Sequence, residues 1–207
     1  PQITKSYALG DFTYMHSLIF RSSKFTFLLL AVISFPILLE TEMILQLWLN
    51  MVPAYTVVFV RLMLCITIID AMGGAFMVAA QSTGRVRFYQ SVVGGILLAI
   101  VPVSYVVLRL GAAPWSVFLI HFCVCTVAFF VRLFIIRSMI HLSLYSYFHA
   151  VLLRCLYVLL LAMPLPIGLL YIFPATLWAG ISVCFVSVLT ISLSSYRVGL
   201  AEGERKF

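Results

Sequence analysis

One carboxylate, Asp70, interrupts the apolar stretch 54–81; Arg61 lies nine residues before it, and Gly73 and Gly74 follow one turn later. A charge inside hydrocarbon is costly, so such residues face a bundle interior or an aqueous cavity and mark ion or substrate pathways. At 1.5 Å per residue, Asp70 lies about 24 Å along a helix from Ala54, too deep for its short side chain to reach either surface easily. Three roles fit it: a hydrogen-bonded packing residue, an ion pair with another helix, or a site for a proton or other coupling ion. Arg61 cannot be its partner within one straight helix, because nine residues separate them by about 13.5 Å along the axis and half a turn around it. Arg61 therefore either extends to the membrane surface on its aliphatic stem or faces a cavity. Paired glycines weaken a helix. Gly73 and Gly74 either admit a neighbouring helix closely or form a hinge whose freed carbonyls help hold an ion. Arg132 and Arg154 fall near span ends, where they either snorkel or offer planar guanidinium groups to an anionic group.

Other chemistry is scarce. There is no Ser-His-Asp set, no D-D-x-x-D metal motif and no carboxylate pair placed for acid–base work; Glu40 and Glu42 sit two apart on a connecting segment. The cysteines at 65, 123, 125, 155 and 184 include no C-x-x-C pair and read as small buried hydrophobes rather than metal ligands. "STGRVR" lacks the glycine spacing of a phosphate-binding loop and reads as a basic anchor, and His121 reads as a packed histidine. No catalytic residue, metal site or cofactor is expected, and the chain is not expected to be an enzyme.

The elements that must position these residues follow from composition. Only 9% of the 207 residues are charged, against about a quarter in a soluble domain, and the mean hydropathy is +1.19. So much apolar surface cannot be hidden in one small globule, and its solvent must be lipid. A bilayer core of about 30 Å needs about 20 apolar residues per helix. The apolar runs are continuous rather than alternating, which excludes a barrel and predicts an all-α, polytopic bundle.

Charges and turn residues divide the chain into six spans, at about 25–40, 54–81, 88–110, 115–136, 151–173 and 175–196. Residues 1–24 read as a cytoplasmic segment and the amphipathic start of the first helix, which begins near Tyr14. "ETEMILQLWLNMVP" is a connection with an interfacial Trp48, and Trp115 anchors another interface. "RSMIHLSLYSYFHAVLLR" reads as an interfacial helix. The uncharged run 155–196 would stretch about 63 Å as one helix, twice a bilayer, so it is a hairpin turning at "FPAT". Pro164 and Pro166 kink the fifth span rather than end it. Residues 197–207 form a cytoplasmic tail.

Six spans put both ends on one side. Of the 13 Lys and Arg residues, all but Arg61 and Arg109 fall on or near that side, which the positive-inside rule makes cytoplasmic. The net charge of +7 is thus a topology signal; the basic residues are spread over separate loops, which argues against nucleic acid. The chain opens at Pro1 without a signal-peptide pattern, so it is expected to be part of a longer protein.

Three stretches carry a resemblance. "PQITKSYALGDFTYMHSLIFRSSK" is similar to the cytoplasmic segment between the eighth and ninth spans of polysaccharide-export flippases. "ILQLWLNMVPAYTVVFVRLMLCITIIDAMGGAFMVAAQSTGRVRFYQSVVGG" resembles their ninth-to-eleventh-span region, and "VPVSY" follows where these proteins often have a similar proline-containing stretch. Over about its first 145 residues the chain thus resembles the oligosaccharide flippases of the multidrug/oligosaccharidyl-lipid/polysaccharide exporter superfamily.

The resemblance implies the C-terminal lobe of a two-lobe transporter in the bacterial inner membrane, with an N-terminal lobe preceding it. Alternating access would move a polyprenyl-pyrophosphate-linked oligosaccharide between leaflets. Arg61, Arg132 and Arg154 are then the candidate substrate-binding cations, Asp70 the coupling-ion site, and Gly73 and Gly74 the hinge. Alternatives are a cation-coupled drug exporter of the same superfamily and a non-catalytic membrane subunit of a polysaccharide assembly complex. A membrane glycosyl- or acyltransferase is disfavoured, because the loops are too short to hold a polar active site.

Overall fold

A computed structural model describes residues 2–49, 51–172 and 176–199. Most of these are helical, with no strand among them. The helices are α1 (Gln2–Ala8), α2 (Phe12–Leu39), α3 (Thr41–Trp48), α4 (Thr56–Met72), α5 (Gly74–Ser82), α6 (Val86–Leu98), α7 (Ile100–Arg109) and α8 (Ser116–Ile140). They continue as α9 (Leu144–Tyr147), α10 (Leu153–Ala162), α11 (Pro164–Ile172) and α12 (Leu177–Ser194). π-Helical turns at Phe148–Leu152 and Ser195–Gly199 join α9 to α10 and extend α12.

Merged across their breaks, these make six helices long and apolar enough to cross a membrane: Phe12–Leu39, Thr56–Ser82, Val86–Arg109, Ser116–Ile140, Leu144–Ile172 and Leu177–Gly199. The breaks have local causes. Pro102 cannot donate the backbone bond that would join α6 to α7, and Pro164 does the same between α10 and α11. Asp11 starts α2 by accepting the Tyr14 N–H at 2.9 Å, as an N-cap side chain should.

The packing is that of a protein dissolved in lipid. Large side chains such as Leu29, Phe134, Leu161 and Trp178 lie on the outside. The core is a knot of aromatic and small residues. Tyr147 meets Phe20 and Phe76 edge-on or tilted, with centroids 5.6 and 5.3 Å away, and Phe76 meets Phe129 at 5.7 Å. Ala75, Ala79, Ala80, Ala128 and Ala162 are buried around it, letting the helices approach closely.

Two expectations shift. The helices run further than the charges suggested, and Lys24 is buried inside the bundle rather than open at its end. It lies twelve residues into α2 and is 3% exposed. The segment expected to lie in the interface is instead divided between the end of α8 and the start of the fifth spanning helix. There Ile140, Leu142, Tyr147 and Val151 are almost fully buried, because this segment plugs one end of the bundle. The expected turn at 173–176 lies largely outside the described residues, as does all of the expected tail beyond Gly199; the helices Leu144–Ile172 and Leu177–Gly199 flank the former.

Candidate functional site

Asp70 and Arg132 meet across two spanning helices. Arg132 Nη1 donates to Asp70 Oδ1 at 2.7 Å. Asp70 is fourteen residues from the start of its spanning helix and twelve from the end, about 21 and 18 Å at the helical rise. Arg132 lies eight residues, about 12 Å, from the end of α8. The pair is therefore well inside the membrane. Arg132 does not snorkel, contrary to one sequence reading, because a carboxylate reaches it from α4.

The two partners are unequally placed. The Arg132 side chain is 13% exposed and that of Asp70 57%. Arg132 Nε is buried without a hydrogen-bond partner among the described residues. A guanidinium has five N–H donors, and this one commits Nη1 to a single carboxylate oxygen. Asp70 presents its second oxygen outward. The buried Tyr89, on α6, and Cys125, two turns before Arg132 on α8, lie within electrostatic reach of the pair.

Gly73 makes this contact sterically possible. α4 ends at Gly73, which has φ −74° and ψ −10°. The Gly73 N–H bonds back to the Asp70 carbonyl at 3.0 Å, and the Phe76 N–H bonds to the Gly73 carbonyl at 3.1 Å. Both are tighter three-residue bonds of the kind seen at a helix break. Ser23 of α2 donates its hydroxyl to the Met72 carbonyl at 3.0 Å, satisfying an acceptor at the break. A Cβ on Gly73 would lie 2.7 Å from Arg132 Nη1; the missing side chain is the space the guanidinium occupies. Gly74 has no such neighbour within 4 Å.

The other candidates stand apart from this pair. Arg61 Nε donates to Thr41 Oγ1 at 3.3 Å, tying α4 to the first turn of α3. Arg154 is half-buried, ten residues into the fifth spanning helix, deeper than a span beginning at 151 allowed. Lys24, beside Ser23 and within electrostatic reach of Cys155, is an intramembrane cation that sequence reasoning missed. Its signal was available: once α2 begins at its Asp11 cap, Lys24 is about 18 Å inside the helix. All five cysteines are free, and among the described residues no three His, Cys, Asp or Glu side chains are grouped to hold a metal ion.

Fold and site define a multi-pass α-helical membrane protein with an ion pair set between two of its spanning helices. No family model, curated protein or solved structure matches the chain.

Proposed function

We propose that the chain is one lobe of a flippase that carries a polyprenyl-pyrophosphate-linked oligosaccharide from the cytoplasmic to the outer leaflet of a bacterial inner membrane. The observation that carries this reading is the Asp70–Arg132 pair, whose carboxylate stays more than half exposed at a depth where lipid would otherwise surround it. An ionisable group placed so belongs on a water-filled cavity or a protein contact. The cavity between two lobes of an alternating-access transporter supplies both in turn.

The arrangement suits an exchange. In one state Asp70 holds Arg132. In the other a substrate pyrophosphate takes the guanidinium, using donors that the single bond to Asp70 leaves free, and Asp70 takes a proton or other cation. A ligand shifts such an equilibrium only by binding one state better, and the exchange provides that difference. The break at Gly73 places both partners beside a joint rather than within a continuous rod. No covalent bond changes. The charge asymmetry supports cytoplasmic termini, with the basic end of the bundle inside.

The test is reconstitution of the full-length protein in vesicles with a fluorescent polyprenyl-pyrophosphate oligosaccharide. Transfer of the label between leaflets, driven by an ion gradient, is the expected result. Gradient-driven movement of cationic drugs instead would make the protein a multidrug exporter. Movement of neither would overturn the transport reading in favour of a non-catalytic subunit.

A further inference from the structure

The turn between α8 and α9, remote in sequence from Asp70, borders an open cavity of about 520 Å³ lined by Arg137, His141, Leu142, Ser143, Leu144 and Tyr145. Its polar groups are of one kind. Arg137 is exposed in the last turn of α8, with no hydrogen bond or ion pair to a described residue. His141 takes the left-handed conformation, φ 54°, reversing the chain between the two helices. The Ser143 hydroxyl accepts from Ser146 N at 3.2 Å and Ser146 Oγ at 3.0 Å, which leaves its own proton to donate. No carboxylate is among the described residues that line the cavity.

The wall is held firmly. Leu142 is 1% exposed, and His16 of α2 engages the Ile140 carbonyl at 2.9 Å. Tyr145 is 75% exposed and packs on His149, ring centroids 4.8 Å apart. An amphipathic ring so placed sits at the level of lipid headgroups. The cavity joins the fourth and fifth spanning helices where they leave the hydrocarbon, at the end that also carries Arg85 and Arg87 and so attracts anionic lipid.

A guanidinium with no partner among the described residues, an imidazole and a hydroxyl donor, with no carboxylate among the described lining residues, match the acceptor oxygens of a phosphate. The volume exceeds what a phosphate alone requires and leaves space for its ester substituents. We propose that this cavity binds a phosphate ester presented at the membrane surface, either the phosphodiester headgroup of an anionic lipid or a soluble phosphate compound. The site is independent of the transport reading.

The test is retention of phosphatidylglycerol by the purified full-length protein, counted by native mass spectrometry. Wild type is expected to hold one copy that Arg137→Gln binds about tenfold more weakly, the loss of a charge-assisted hydrogen bond. Arg137→Lys, which keeps the charge, should lose less, and Arg85→Gln should not disturb that copy. Millimolar inorganic phosphate then separates the sources: displacement of the lipid supports a soluble ester, and failure to displace it supports the headgroup. Equal retention by wild type and Arg137→Gln, or an equal loss in Arg85→Gln, overturns the proposal whether or not the protein transports anything.

Discussion

Alanine at two adjacent glycines should move stability in opposite directions. At Gly73 the new Cβ would stand 2.7 Å from Arg132 Nη1, where ordinary contact begins at 3.4 Å. The nitrogen must retreat by about 0.7 Å, which carries its 2.7 Å bond to Asp70 beyond the usual hydrogen-bond range. A hydrogen bond to a charged group is worth about 1.5–3 kcal/mol; the exposure of Asp70 reduces that to about 1–2. Alanine returns about 0.5–1 kcal/mol of helix preference over glycine. The net loss is about 1 kcal/mol, or about 2–4 °C for a chain of this size. Gly74 meets nothing within 4 Å, so Gly74→Ala keeps only the helix gain and should melt slightly higher than wild type. Purified protein can be melted with a thiol-reactive fluorophore, since Cys125 and Cys155 are buried and react on unfolding. In an Arg132→Ala background the penalty at Gly73 should vanish, a coupling that a double-mutant cycle measures. A Gly73→Ala protein as stable as Gly74→Ala, or additive effects with Arg132→Ala, would refute the steric argument.

Two further outcomes bear on function and orientation. Asp70→Asn keeps the shape and most of the hydrogen-bonding capacity but cannot ionise; under the proposed function it should leave membrane abundance near wild type while impairing ion-gradient-dependent export, whereas Asp70→Ala should lower both. Full export by the Asn variant, measured as surface polysaccharide against protein level, would leave Asp70 a packing residue. A cysteine at Ser82 should react with an impermeant thiol reagent from the cytoplasm and one at Ala112 from outside; labelling of Ala112 only from the cytoplasm would invert the topology.

The membrane architecture was legible because it rests on length and composition. Six apolar runs need six helices, and their number survives errors at every end. Pro164 and Pro166 were rightly read as a kink within a continuous span, since α10 and α11 run on within Leu144–Ile172. The ends were less legible. The sequence reading stopped spans at Lys24 and before Arg137, treating each charge as a mark of water. Inside a bundle that inference fails, because a cation that meets a carboxylate or polar groups can remain at depth. Arg132, paired with Asp70, sits at depth for that reason.

The site was half legible for a related cause. Asp70 and Gly73 stood out because each is locally anomalous: a carboxylate in an apolar run, a glycine where a helix former would serve. Arg132 was singled out as a candidate cation, but its pairing with Asp70 was not, because the two are 62 residues apart and no local pattern joins them. Only packing brings α8 against α4, and Ser23 from α2 to the Met72 carbonyl. The asymmetry of the pair could not be read locally at all. Had Asp70 been buried as deeply as Arg132, the two would make a closed structural bridge with nothing left to exchange. With the cation sheltered and the carboxylate open, Asp70 is the accessible side of the pair. Under the proposed function the exchange would therefore begin there, and release of Asp70 would leave the guanidinium of Arg132 to the incoming pyrophosphate.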